Sequence, residues 1–594
     1  MSNIGQVPEE LTVGRGDPAY MAHAYLTKVP VPAIEPFIRA YSPPGGTVVD
    51  PFAGSGMTGV AAAMTGRRAR LFDISVLGQH IGRNFVNLVD PEQFAKHAAE
   101  VIHATQAELG DVYAVDCARC GREGTLTKSV WSIVVECSGC KRPVNYYHSM
   151  EAAHWRKADM VCGRCANPIS ARNRRIGEEP VLHSISSECS PTQLDQAPAA
   201  LPNKIDLERI DYPKVEITPE RQMYKASALG KSGMTTIASF YSDRNLAVLA
   251  TLRKHIAEVD DTAIRSKLLF AFTACLTRAS KRYQWSKQRP LNAANANYYV
   301  AAVFYEWNVY ELFLRKVKAA IKSDNYVRTA RKVQVKHADV GIPDVSYELG
   351  SADVIALDDD SVDYVFTDPP FGSNLFYADM ALFQEAWLDG FTDVDQEAVI
   401  DRSKGGSRTA ARYEALLTDA LRECVRVLRP GGHVSMVFGN SSGRVWSLIQ
   451  RSIASAGLMI EPDKLVVLNK GQRSVKGLAS GFEDVATLDL IITMRETDGA
   501  VPSALKSVDR STVAAKIKEL ANVGPATPSH LYLELLRTGI REGWELDKLD
   551  LRDVTAALIS EDWDIDPKTG RLSKAGASEG DDLWYTKGGQ GLLV

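Results

Sequence analysis

Between residues 20 and 100, short apolar runs alternate with stretches whose apolar positions recur every three or four residues. The spacing predicts a helix over 33–40, a strand over 47–50, a helix over 58–65 and a strand over 68–72. Residues 111–190 break that rhythm with cysteines, arginines and turn formers. Long helical spacing follows over 245–256, 263–280 and 298–321. Alternation then resumes, with strands predicted over 345–349, 362–366, 433–438 and 486–494 and helices over 413–427 and 445–456. After Thr497 come three shorter helical patterns, 513–520, 530–538 and 551–559, and a Gly- and Asp-rich tail from Asp566 that is expected to be mobile.

Strands alternating with helices imply a mostly parallel sheet covered on both faces. The fold class expected is α/β, one Rossmann-like sheet split by an insertion of about 250 residues. Its parts are 1–110 (first half of the sheet domain), 111–200 (a cysteine-rich insertion), 201–340 (a helical, basic insertion), 341–497 (second half) and 498–594 (a small helical region). A chain of 594 residues is too long for one compact core. Hydrophobic content of 45% and charged content of 24% are those of an ordinary soluble protein. No run of eighteen apolar residues occurs and residues 1–17 lack a signal pattern, so a cytoplasmic protein with no membrane partner is expected. Net charge of −4 excludes a polycation. Between Arg278 and Lys336, however, thirteen Lys or Arg face three acids (Glu306, Glu311, Asp324), with aromatics among them. That mixture suits phosphate contacts and base stacking as well as solvated helix faces.

Two short segments carry the chemistry. In the first, the apolar Val48-Val49 runs into Asp50-Pro51-Phe52 and then Gly54, Gly56 and Gly59, a strand feeding a glycine turn that opens a helix. G-x-G-x-x-G by itself is a weak signal, shared with dinucleotide-binding enzymes, and Asp73 after the next strand would hold ribose hydroxyls in either type. The carboxylate of Asp50 at the strand end suits a cation and would repel a pyrophosphate. In the second segment the strand predicted over 362–366 runs through Thr367 into Asp368-Pro369-Pro370-Phe371. A carboxylate and a proline-fixed carbonyl can together accept both N–H bonds of a flat base's amino group, and an aromatic ring offers a stacking face.

Cysteines occur as three C-x-x-C pairs, Cys117/Cys120, Cys137/Cys140 and Cys162/Cys165. Sixteen residues between the first two pairs is zinc-ribbon spacing, and in a cytosolic chain disulfides are a poor alternative. The third pair then needs partners such as Cys189, His183, His148 or His154, or it displaces one of the first pairs. At least one structural zinc is expected, with no chemistry of its own. Cys275 and Cys424 lie in apolar runs and read as core.

The forms DPFAGSG (50–56) and DPPF (368–371) resemble those of S-adenosylmethionine-dependent amino-methyltransferases, which methylate adenine N6 or cytosine N4 in DNA. Residues 23–30 are similar to the segment that closes over the cofactor's methionine moiety. The resemblance implies a Rossmann-like methyltransferase sheet. It implies cofactor contacts from Thr27, Lys28, Asp50, Pro51, Phe52, Gly54, Ser55, Gly56, Thr58 and Asp73, and a catalytic turn of Asp368, Pro369, Pro370 and Phe371. Asp at its head is the form more usual among adenine-N6 enzymes. The order of motifs implies that 111–340 grips double-stranded DNA, with Arg278, Lys281, Arg282, Trp285, Lys287 and Arg289 as contacts. A nucleoid-associated enzyme, with other subunits of a restriction or phage-defence system, completes what the resemblance suggests. Two other readings stay open: an RNA methyltransferase, which uses the same tetrapeptide, and a non-catalytic zinc-containing DNA-binding subunit.

Overall fold

The computed structural model describes residues 7–574 apart from 15, 200–204, 288–297, 336–342, 373–374, 402–406, 472–485, 498–504, 524–526, 561–562 and 567–570. Eight strands build the main sheet, in the order Glu10–Thr12, Leu458–Asn469, Asp489–Glu496, Leu428–Phe438, Val362–Thr367, Thr47–Asp50, Arg68–Asp73 and Val345–Leu349. Asp489–Glu496 runs antiparallel to both neighbours, and the other pairings are parallel.

The winding of this sheet positions the site. From Thr47–Asp50 the chain moves outward through Arg68–Asp73 to the edge strand Val345–Leu349. It then comes back and lays Val362–Thr367 on the other side of Thr47–Asp50, with Tyr364 opposite Val48 and Val365 opposite Val49. Winding reverses between these two strands, so connections leave their carboxyl ends in opposite directions and a crevice opens there.

Side chains alternate between two cores, as the pleat requires. Val48, Leu71, Tyr364 and Phe366 join one, and Val49, Phe72, Val365 and Met436 join the other. Helices Val31–Tyr41, Met57–Met64, Val76–Val86 and Pro91–Leu109 cover the first. So do Asp243–Ala257, Thr262–Ala279 and Val309–Val335, helices of the insertion that share this core with the first half of the sheet domain. Ala410–Val427, Gly443–Ser455 and the C-terminal helices Arg510–Val523, Pro528–Glu542 and Leu551–Ser560 cover the second.

The insertion occupies the crossover from Arg68–Asp73 to Val345–Leu349, and it carries a sheet of its own. A long antiparallel ribbon, Glu123–Glu136 against Arg175–Ser187, is its axis. Ala114–Asp116, Pro143–Asn145, Ser190–Gln196 and Val303–Trp307 pair along it. The last of these corrects the helix expected over 298–321. Val303, Phe304, Tyr305, Glu306 and Trp307 are all buried, so no polar face marks a period, and aromatic and β-branched residues favour the strand. The helix starts only at Val309, where the Asn308 side chain accepts the N–H groups of Tyr310 and Glu311. Within the tail expected to be mobile, Leu572–Lys574 pairs with Trp563–Ile565, and residues past 574 lie outside the described ones. No described helix is long and apolar enough to cross a membrane.

Candidate active site and metal centres

Asp50 is the last residue of Thr47–Asp50, and Asp368 follows Val362–Thr367 directly. The two carboxylates stand on either side of the crevice and line one cleft of about 1020 Å³, open to solvent at its mouth. Thr27, Lys28, Pro51, Phe52, Gly54, Ser55, Thr58, Asp73 and Pro370 line it as well. Gly56, Pro369 and Phe371 do not, although they shape its walls.

Backbone geometry makes the first wall. Gly54 (φ 49°) and Gly56 (φ 77°) are left-handed, and a Cβ on Gly56 would lie 2.7 Å from the Gly82 Cα of the neighbouring helix. Asp73 accepts from the Gly54 N–H at 2.8 Å and the Ser75 N–H at 2.9 Å, tying the two strand ends together. The Gly54 carbonyl in turn accepts from the Tyr347 hydroxyl at 2.6 Å. Asp50 accepts from the Phe52 N–H at 3.1 Å and the Thr58 hydroxyl at 2.6 Å. Burial raises its pKa to about 7, with the Thr58 hydrogen bond opposing. Burial also raises Asp73, against the two backbone N–H groups.

Thr27 and Tyr377 both line the cleft and meet hydroxyl to hydroxyl at 3.2 Å. Lys28 departs from expectation. Its ammonium donates to the carbonyls of Tyr20 and His23 and lies over the Tyr20 ring. Burial lowers its pKa to about 7. The ammonium thereby ties Tyr20 and His23 to the closing segment.

The second wall is the Asp368–Phe371 turn. The Tyr413 hydroxyl donates to the Pro370 carbonyl at 2.6 Å, and Asn440 Nδ2 donates to the Phe371 carbonyl at 2.7 Å. The Phe371 ring packs on Phe438 with centroids 5.0 Å apart. Burial raises the Asp368 pKa to about 7, the Lys470 ammonium pulls it down, and Asp489 and Asp50 push it up. Lys470 Nζ lies 2.5 Å from Asp489 Oδ2. Among the described residues, Asp368 Oδ1 and Asp353 Oδ1 are buried with no hydrogen-bond donor. Unpaired buried acceptors are costly, and these belong to two cleft-lining carboxylates. A ligand carrying amino N–H groups and a positive charge fits that wall; a polyanion does not.

Tyr347, Tyr377, Tyr413, Asn440, Lys470 and Asp489 carry no short motif, and the sequence reading passed over them. A positional signal existed for several. Asn440 and Lys470 come just after the strands Leu428–Phe438 and Leu458–Asn469, at the edge of the sheet where ligands bind.

The cysteines pair differently from the spacing. Cys137, Cys140, Cys162 and Cys165 bring four sulfurs within 4.8 Å of one another, with Cys137–Cys165 at 3.5 Å and Cys140–Cys162 at 3.8 Å. Four thiolates at such separations fit one tetrahedral zinc with metal–sulfur bonds of about 2.3 Å. Cys117 and Cys120, expected to share this site, lie instead with Cys189. The third pair has displaced the first because residues 137–140 and 162–165 flank the same end of the ribbon, while residues 117–120 lie at the other.

The expected DNA contacts also separate. Arg282 is 2% exposed, its guanidinium between the rings of Tyr298 and Phe383, out of reach of a phosphate backbone. Arg278 stacks on Tyr283 and Trp307, and Lys281 pairs with Glu178 at 2.9 Å. Trp285 packs against Tyr147 and Trp155, and the exposed Lys287 lies over Trp155. Arg289 lies outside the described residues.

The profile of the DNA methylase family matches residues 6–88. That match covers the closing segment, the Asp50–Gly59 turn and Asp73, which make up the first wall of the site. Solved structures with detected similarity include one from the complex between the Haloferax volcanii Trm112 methyltransferase activator and its methyltransferase (14% identity, 30% of this chain and 69% of that one, TM-score 0.16). Another is an S-adenosylmethionine-dependent methyltransferase from Methanosarcina mazei (10% identity, 29% and 77%, TM-score 0.15). No curated protein matches this sequence.

Proposed function

We propose that this protein transfers a methyl group from S-adenosylmethionine to the exocyclic N6 of adenine in DNA. The observation that carries the reading is the meeting of Asp50 and Asp368 in one cleft, each at the end of a central strand. The cofactor would supply a methyl group activated by a sulfonium cation. Asp50 offers that cation a carboxylate, Asp73 lies where ribose hydroxyls would be held, and Asp353 offers an acceptor for an amino group. On the opposite wall, Tyr413 and Asn440 already occupy the carbonyls of Pro370 and Phe371. A carbonyl of the Pro369-Pro370 turn, which these bonds hold in place, would work beside Asp368 Oδ1 as the second acceptor. Two acceptors on one amino group favour a pyramidal nitrogen with its lone pair turned toward the methyl donor. Beyond that, rate comes from alignment and fixed charge, with the base flipped out of the duplex.

Contact with the duplex we assign to the far end of the ribbon. Around the four-thiolate cluster Arg142, Lys157, Arg164 and Arg172 are exposed, and Lys287 with its Trp155 and Trp285 neighbours extends the patch.

The test is label transfer from isotopically marked cofactor to duplex DNA, single-stranded DNA and tRNA, followed by nucleoside analysis. N6-methyladenine in duplex DNA is expected, and Asp368→Ala should lose at least ~10²-fold in turnover while binding cofactor within ~2-fold. Label in N4-methylcytosine would move the assignment to cytosine. Label confined to tRNA, or full turnover in Asp368→Ala, would overturn it.

A further inference from the structure

We propose that Cys117, Cys120 and Cys189 hold a second zinc ion, through three thiolates, with the fourth vertex open to a small exchangeable ligand such as water. Their sulfurs all lie within 4.8 Å, and no histidine or carboxylate atom among the described residues joins the group. Cys117 Sγ and Cys189 Sγ are 3.5 Å apart. That is far beyond a disulfide at about 2.05 Å and near the edge of a tetrahedron of metal–sulfur bonds of about 2.3 Å.

The backbone supports the same reading. At Cys137 and Cys162, both in the four-thiolate site, the Cys N–H donates to the carbonyl five residues on, and the N–H four residues on donates back to the Cys carbonyl. The residue at that fourth place, Lys141 or Ala166, is left-handed. Cys117 repeats all of it: its N–H donates to Arg122 O, Gly121 N–H donates to Cys117 O, and Gly121 has φ 69°. Such a knuckle aims both thiolates and both nearby N–H groups at one point. Cys189 reaches that point from the two-residue turn between the paired Ser187 and Ser190.

Position in the fold gives the ion a task. The ribbon strands are fourteen and thirteen residues long. One end is gathered by the four-thiolate cluster, and the trio gathers the other. Cys120 and Cys189 are exposed, so solvent reaches the metal from their side. The buried Ser187 hydroxyl lies 3.4 Å from Cys117 Sγ and 3.3 Å from Cys189 Sγ, beside the open vertex's thiolates. Binding releases the thiol protons to solvent, with no change of oxidation state.

Elemental analysis and chelator kinetics on the full chain test this without any activity assay. The wild type should hold two zinc ions, one surrendered at least about tenfold faster than the other. Cys189→Ser should keep only the slow ion. Ser187→Cys, which adds a fourth sulfur without removing one, should slow the fast ion to the rate of the other. Its cobalt-substituted form should show two four-sulfur spectra. One zinc in the wild type, unchanged in both variants, refutes the site. Two ions leaving the wild type equally slowly refute the open vertex.

Discussion

Asp50 and Asp368 both titrate near 7, because burial penalises their charged forms. A carboxyl raised in this way keeps its proton between the ordinary value near 4 and about 7, and is ionised only above that window. In the proposed roles, Asp50 attracts a cation only when ionised, and Asp368 accepts N–H bonds more strongly as a carboxylate than as a neutral acid. Cofactor affinity and turnover should therefore each rise about tenfold from pH 6 to pH 8 and level off beyond. Calorimetry in buffers of different ionisation enthalpy should find proton release on cofactor binding near pH 7. A flat profile across that range would contradict both roles. Lys470 separates the two groups, because its ammonium lowers Asp368 and is not among the charges acting on Asp50. Lys470→Met should move the turnover midpoint upward by roughly one pH unit and leave the cofactor-affinity profile in place. Both aspartates were legible in the sequence, since each ends a strand inside a motif whose chemistry needs a carboxylate. Arg282 and Lys28 were not. Whether a cation faces solvent depends on partners far along the chain, and Phe383 lies a hundred residues from the arginine it cages.

Elements read well wherever one face is polar. Helices Ala410–Val427 and Gly443–Ser455 match the reading to within a few residues, because their apolar stripe has a wet opposite side. Val303–Trp307 is buried on both faces and gave no such contrast. Cysteine spacing misled for a related reason: proximity in sequence favours the first two pairs, whereas pairing of a long ribbon brings its termini together instead. Two element-level outcomes follow. Gly56→Ala puts a Cβ 2.7 Å from the Gly82 backbone in a left-handed conformation, costing about 2 kcal/mol or more. It should lower the melting temperature and weaken cofactor binding together. Cys140→Ser, in contrast, removes one ligand of a closed four-sulfur set at the far end of the ribbon. Limited trypsin digestion with mass analysis should find new cuts within 141–174, while cofactor affinity stays near wild type. Cuts spread through the main sheet would mean that the four-cysteine cluster supports the whole molecule and not the ribbon end alone.

At the scale of the whole molecule, the sheet explains why an insertion this long is tolerated. It enters and leaves at neighbouring strands, Arg68–Asp73 and Val345–Leu349, so the crevice between Thr47–Asp50 and Val362–Thr367 forms without it. Its helices seal one face of the sheet, and its ribbon is free to carry a separate surface. Charge follows the same division. The protein as a whole is slightly acidic, with net charge −4, yet from Glu136 to Arg174 seven Lys or Arg face three acids. A surface of this kind binds polyanions through counterion release, whose mark is a linear fall of log affinity with log salt, about 0.9 per phosphate neutralised. Changing Arg142, Lys157 and Arg164 together to Gln should make that slope shallower by about 2 to 3 and weaken duplex binding by at least ~10-fold near 0.1 M salt. The loss should be alike for every DNA sequence, because phosphates carry no base identity, and cofactor affinity should not change. Asp368→Ala should show the reverse pattern, with a wild-type salt slope and turnover lowered by at least ~10²-fold. If the triple variant keeps the wild-type slope, the phosphates lie against some other face, and the ribbon would serve the fold alone.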